Sequence, residues 1–260
     1  MKKLILTRAS LLALTITAPA FAQSNESTVT QTGSSLDAIV TQSGNANTAT
    51  TTQSGNNQSG TVTQDGALNS SLLTQSNRFN IAEIIQTGDR NESEVEQVGT
   101  QNAAGISSFV FVTQIGNEND SFILGQNGDI RNSIDVDQTG NLNKSDIQQG
   151  GSNAAVNAIT LAQTGDSNVS TIDQALGSFD EFNRITATQN GEGNNSTIDQ
   201  GGANHQIDLL QDGTDNTSLI TQAGFGGNRA DVSQTGDSHM STVDQNGLTN
   251  VATVTQGSVN

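Results

Sequence analysis

A glutamine returns every eleven residues along most of this chain. Gln31, Gln42, Gln53, Gln64, Gln75, Gln86 and Gln97 follow one another at an unbroken interval of eleven. The series goes on through Gln114, Gln126, Gln138, Gln149, Gln163, Gln174, Gln189, Gln200, Gln211, Gln222, Gln234, Gln245 and Gln256, which makes twenty units across residues 23–260. A fixed period over such a length is the signature of a solenoid, in which each unit buries its inner face against its neighbours.

Positions six, four and two before the Gln hold Asn, then Ala or Ser, then Val, Ile or Leu, as in Asn80, Ala82 and Ile84 ahead of Gln86. This alternation is the pattern of a strand with one face inward. Seventeen of the twenty units place Gly two residues after the Gln, and Gly supplies the backbone freedom for a tight turn. The expected turn glycines are Gly33, Gly44, Gly55, Gly66, Gly88, Gly99, Gly140, Gly165, Gly191, Gly213, Gly236 and Gly247. The expected fold is therefore all-β: a β-solenoid of about ten coils, each of two strands and two turns. At roughly 4.8 Å per coil the rod stands on the order of 50 Å tall.

Equivalent side chains of such a rod stack on every second unit. An inward amide ladder is expected from the glutamines, beginning with Gln31 through Gln97, and from the asparagines five residues after a Gln: Asn47, Asn69, Asn80, Asn91, Asn143, Asn168, Asn194, Asn216 and Asn250. Such ladders explain how a polar chain can fold. Hydrophobic residues make up 32% of it, against roughly 45–50% in an ordinary domain, a deficit that usually means disorder. The charged fraction is only 13%, however, and the place of charge is taken by Gln, Asn, Ser, Thr and Gly, which can satisfy one another with hydrogen bonds.

The N-terminus reads as a secretory signal peptide over residues 1–22: Lys2, Lys3 and Arg8 precede an apolar stretch, and Ala20-Phe21-Ala22 is a small-x-small cleavage site. The stretch is too short and interrupted to span a membrane, so a secreted protein starting at Gln23, with no membrane insertion, is expected. Removing the leader takes three of the nine basic residues and leaves 26 acidic groups against six, a net charge of −20. Such a charge disfavours nucleic acid and anionic lipid as partners. The one proline, Pro19, leaves with the leader, consistent with a need for backbone N–H donors nearly everywhere. There is no cysteine, so disulfides do not hold this exported chain together.

The phrase Asn47-Thr-Ala49-Thr-Thr-Thr-Gln53-Ser-Gly55 resembles the curlin repeat of bacterial curli fibres, and Asn80 to Gly88 and Asn250 to Gln256 resemble it equally. The resemblance implies a secreted functional-amyloid subunit that polymerises outside the outer membrane of a Gram-negative-type bacterium into fibres of the biofilm matrix, for adhesion and cohesion. It implies as partners further copies of the chain, a nucleating minor subunit and an outer-membrane export channel. Enteric curlins have fewer repeats, a glycine-rich segment before the first and several tyrosines; here the repeats begin almost at Gln23 and Tyr is absent.

Both ends of the repeat region are in register and uncapped, STVTQTG at the start and VATVTQGSVN at the finish. Open strand edges template further pairing, and soluble solenoids cover them with atypical repeats. Val29 and Gln31 at one end and Val254 and Gln256 at the other are the expected polymerisation surfaces, in a contact that does not close on itself and so builds a filament.

Other readings compete. The chain could be the nucleator rather than the major subunit, or a monomeric adhesin solenoid. Thr-x-Thr pairs at Thr28/Thr30, Thr50/Thr52, Thr61/Thr63 and Thr253/Thr255 suggest an ice-binding face, although Leu72 and then Glu94/Glu96 follow on one of those faces. Calcium-binding repeats have a period of nine and a different Gly/Asp pattern. His205 and His239 occupy Asn slots at opposite corners, which speaks against a shared metal site. No constellation suited to catalysis is present, and no metal or cofactor is expected. Carboxylates such as Glu94, Glu96, Asp135 and Asp137 sit on outward positions, where stacked like charges would oppose premature association. Insertions lengthen some units, and Phe109, Phe179, Phe182 and Phe225 lie in or beside them, suggesting loops with partly buried rings or a lateral contact.

Overall fold

The computed structural model describes residues 24–98, 107–127, 132–151, 156–174 and 182–257. The leader, Gly99 and Phe179 lie outside the described residues. Every described element is a strand: β1 (Glu26–Asn45), β2 (Thr48–Ala67), β3 (Ser70–Arg78), β4 (Asn80–Asp89), β5 (Glu92–Val98), β6 (Ser108–Asn117), β7 (Asp120–Asn127), β8 (Ser133–Asn141) and β9 (Lys144–Gly151) in the first half. The second half holds β10 (Ala158–Asp166), β11 (Val169–Gln174), β12 (Arg184–Glu192), β13 (Asn195–Gln200), β14 (Gln206–Thr214), β15 (Thr217–Ala223), β16 (Arg229–Asp237), β17 (Met240–Asn246) and β18 (Val251–Gly257). β1 and β2 each run through a corner and carry two units, so eighteen strands hold the twenty repeats.

All ladders between these strands are parallel; β1 pairs with β2, the first half of β2 with β3, and from β2 onward each strand pairs with the one two ahead. The early coils shift by twenty-two residues, for example Gln31 on Gln53 and Gln42 on Gln64. The result is a β-solenoid with two stacks of strands. One holds the first halves of β1 and β2 and then the odd strands from β3 to β17; the other holds the second halves and the even strands from β4 to β18. The core is a thin layer between the stacks, a continuous column of Val, Ile, Leu and Ala.

The two stacks differ in a way that treating all units alike conceals. On the odd stack the position four before the Gln is Ser in nearly every coil, such as Ser93, Ser121, Ser145, Ser170, Ser196 and Ser218, all buried. On the even stack the same position grows to Val110, Ile134, Ile159, Ile185 and Ile207. In these middle coils a large residue on one stack thus accompanies a small one on the other, and toward the ends the even position falls back to Ala38, Gly60 and Ala82 and to Ala230. The serines add a ladder of their own, Ser145 to Ser121 at 2.9 Å and Ser196 to Ser170 at 2.8 Å.

One expected ladder position is corrected. Gln97 pairs with Gly125, not Gln126, and Gly125 pairs in turn with Gln149. A slip of one residue would move every side chain of β7 to the other face. The observed register keeps Asn119, Ser121 and Ile123 inward and buried; aligning Gln126 would bury Leu124 in place of Ile123. With Gly125 in the Gln slot, every lengthened corner falls on the same edge of the rod. They join β5 to β6, β7 to β8, β9 to β10, β11 to β12 and β15 to β16, whereas from β4 onward the opposite corners leave two residues between strands without exception. Phe109 and Phe111 are consequently not loop residues. They lie on β6 with their rings stacked, centroids 6.2 Å apart.

The corners are also more elaborate than a glycine turn. The turn glycines from Gly33 to Gly247 that fall in the described residues have positive φ. A Cβ on Gly88 would fall against the carbonyl oxygen of Gly116 in the coil above it. A second left-handed residue, usually not Gly, stands directly before the Asn slot: Ala46, Leu68, Arg90, Glu118, Leu142, Ser167 and Asp215 on the uniform edge.

Candidate functional site

Most ladder glutamines inside the rod make the same two bonds. Gln53 Nε2 donates to Gln75 Oε1 at 2.8 Å and to the backbone carbonyl of Asp37 at 2.8 Å; Gln64 does so with Gln86 and Thr48, at 2.8 and 3.0 Å. One amide therefore ties its coil to the next and also ties one stack to the other. On the even stack the column runs unbroken from Gln42 through Gln64, Gln86, Gln114, Gln138, Gln163, Gln189, Gln211 and Gln234 to Gln256. On the odd stack it runs from Gln31 to Gln97, stops at Gly125, and resumes from Gln149 to Gln245.

The asparagines form a different column. Asn69 accepts on Oδ1 the backbone N–H of Asn91 at 2.9 Å and donates Nδ2 to the carbonyl of Gly88 at 2.7 Å. The buried side chain thus satisfies the two backbone groups that a sharp corner would otherwise orphan. On the uniform edge this column holds Asn47, Asn69, Asn91, Asn143, Asn168, Asn194 and Asn216. Asn80 and Asn250 belong to the other edge, where Asn80 is buried and Asn250 is exposed in the last coil. Counting forward from the Gln misses Asn25, Asn132, Asn157, Asn183 and Asn228, and the expected ladder also lacked Asn119, which stands five after Gln114. Insertions hide several of these, yet each stands six before the following ladder position, so counting backward finds them.

Both histidines occupy these columns. His205 is buried, with Nδ1 accepting the N–H of Asn228 and Nε2 donating to the carbonyl of Gly224, each at 3.0 Å. His239 stands on the opposite edge above Asn216. Among the described residues no three His, Asp or Glu side chains converge in a way that could hold a metal ion.

Outward carboxylates are mostly separated by uncharged neighbours: Glu94 lies between Leu72 and Phe122, and Asp135 between Phe111 and Thr160. Burial, then Asp137, pushes Asp135 upward. Like charges do stack at Glu92 on Asp120, Asp166 on Glu192 and Asp208 on Asp231, and Asp173 is stacked directly on Asp199. Burial, then Asp199 and Asp146, pushes its carboxyl up to about 6. The stacked Thr array ends after two layers, at Leu72.

Among the described residues, core positions are open at the first strand of the first coil and the last strand of the last. Val29, Ala252 and Val254 are half-buried against the core, while their counterparts inside the rod, such as Val62, Val95 and Ile220, are fully covered. A family model described as the curlin associated repeat matches residues 44–76, 183–213 and 227–257. The chain carries curlin repeats. The three matched stretches hold ladder glutamines Gln53, Gln64 and Gln75, then Gln189, Gln200 and Gln211, then Gln234, Gln245 and Gln256, and they avoid the lengthened corners of the middle of the rod. No curated protein matches the chain.

Proposed function

We propose that this chain is a secreted structural subunit, not an enzyme, that polymerises end to end into extracellular fibres of curli type, which give a biofilm matrix cohesion and adhesion. The carrying observation is the pair of open terminal coils. Each presents half-buried core side chains and a strand edge in the same register as the interior. Stacking the first coil of one copy on the last coil of another brings Val243 to Val29, Gln245 to Gln31, Val254 to Val40 and Gln256 to Gln42, each pair repeating an interior column. The core and the parallel ladders then continue without a break, and the contact is heterologous and open. Further copies of the chain are its principal partners on this reading, with a nucleating subunit to start the fibre and an outer-membrane channel to export the unfolded chain.

Purified protein starting at Gln23, kept at neutral pH, is expected to pass from monomer to sedimentable fibres that bind a thioflavin-type dye, faster when fragments of mature fibre are added. Protein that stays monomeric for days at high concentration with seeds present contradicts the proposal.

A further inference from the structure

We propose that His239 makes the junction between successive copies proton-sensitive: its neutral imidazole accepts at Nδ1 the backbone N–H of Asn25 of the next copy, and an imidazolium cannot. The proposal rests on the end-to-end stacking proposed above.

The chain contains its own precedent. In the Asn columns the side chain of one coil accepts the N–H of the residue above it, as Asn194 accepts from Asn216 at 3.1 Å. His205 takes that role on the other edge with a ring nitrogen, its Nδ1 accepting from Asn228 at 3.0 Å. That bond fixes the tautomer: Nδ1 carries no proton and Nε2 carries the one donated to Gly224. A ring protonated on both nitrogens would turn Nδ1–H toward the N–H of Asn228, leaving two donors face to face.

His239 closes the column that starts at Asn25 and passes through Asn47 and Asn216. Its own N–H donates to Asn216 Oδ1 at 2.9 Å, and its Nε2 lies 3.0 Å from the carbonyl of Thr235 within its own corner. A neutral ring that donates from Nε2 keeps Nδ1 as the acceptor. Asn25 is the residue that the stacked register brings above it. The side chain of Asn25 is engaged within its own copy, where Oδ1 accepts from Asn47 and Nδ2 donates to Gly44; its backbone N–H is what it offers downward.

The charged side chains around the ring are acidic, and the α-amino group of Gln23 of the next copy lies two residues before Asn25 and is common to all the variants tested below. Asp237 precedes the ring in the same corner, Asp215 lies in the corner of the coil below, and Glu26 of the next copy comes above Met240. None of them restores an acceptor for Asn25. Imidazole changes charge between about pH 5 and 8. The junction bond is therefore present on the alkaline side of that change and lost as pH falls through it.

Seeded elongation of wild type, His239→Asn, His205→Asn and Glu26→Gln tests this, with the residual monomer concentration read by sedimentation at about pH 8 and about pH 5. Wild type is expected to leave roughly tenfold more monomer at the lower pH. His239→Asn restores the residue found at most other levels of its column, and is expected to elongate like wild type at the higher pH and to lose that rise. His205→Asn and Glu26→Gln are expected to keep it. Protonation of Asp173 is common to all four proteins and does not distinguish them. The proposal is overturned if wild type shows no rise or if His239→Asn shows the same rise. Failure of wild type to elongate at any pH overturns the end-to-end reading itself, and this proposal with it.

Discussion

At the scale of single residues, the rod is limited by a few positions where a column is interrupted. Thr51 occupies a core slot between Val29 and Leu73, and its buried hydroxyl has no hydrogen-bond partner. The same coil holds Gly60 in an Ala slot, with the space filled by the Leu73 side chain, and Gln58 in an Asn slot with its Oε1 unpaired. Thr51→Val removes the orphan hydroxyl and adds a methyl group, so denaturant unfolding of the monomer should show a gain of about 1–2 kcal/mol. Asp173 is a second weak point. Its folded pKa of about 6 lies above the ordinary aspartate value of 3.8, so the native state binds the proton more readily than the unfolded chain. Stability from this group therefore rises as pH falls through 6 and is complete below the unfolded value. Asp173→Asn should unfold at higher denaturant than wild type near pH 8, and the two should converge toward pH 4. The weakness of Thr51 is legible in the sequence, since it stands where other units have Val or Ile. The stacking of Asp173 on Asp199 is legible as well, since each stands one before a Gln two units apart, but the burial that contributes most to its shift is not.

At the scale of strands and corners, the eleven-residue period was enough to read the strands, the turn glycines and the inward direction of Gln and Asn. It failed at β7, where a glutamine lies one residue beyond the slot and the buried Asn119, Ser121 and Ile123 decide the register instead. It also failed at the corners, where a side-chain amide and a left-handed residue before it share the work with Gly. Once Gly125 is placed, lengthened and uniform corners separate onto opposite edges. The uniform edge carries a further exposed ladder, with the N–H groups of Asp89, Asn117 and Asn141 donating to Asn117, Asn141 and Asp166 at 2.9 to 3.1 Å. Inserting about ten Gly and Ser residues between β9 and β10 should change monomer stability by less than ~0.5 kcal/mol, since that corner already varies. The same insertion between β10 and β11 interrupts both the inner and the outer ladder and should cost at least ~2 kcal/mol. Equal effects at the two sites would show that the edges are not distinct.

At the scale of the whole molecule, a chain with little hydrophobic surface folds because three kinds of column repeat along its length: backbone ladders, amide ladders and a thin aliphatic core. Each bond contributes little by itself, and their strength lies in continuity, which the free rod loses for all three together at its first and last coils. The half-buried Val29 and Val254 mark those ends, and burying them on another copy is what the proposed fibre achieves. Helical reconstruction of assembled fibres by electron cryomicroscopy tests this most directly. End-to-end stacking predicts an axial rise per subunit of about ten strand spacings, on the order of 48 Å, with strands perpendicular to the fibre axis at ~4.8 Å intervals. A rise of about 4.8 Å per subunit, with each chain flattened into a single layer, would contradict it.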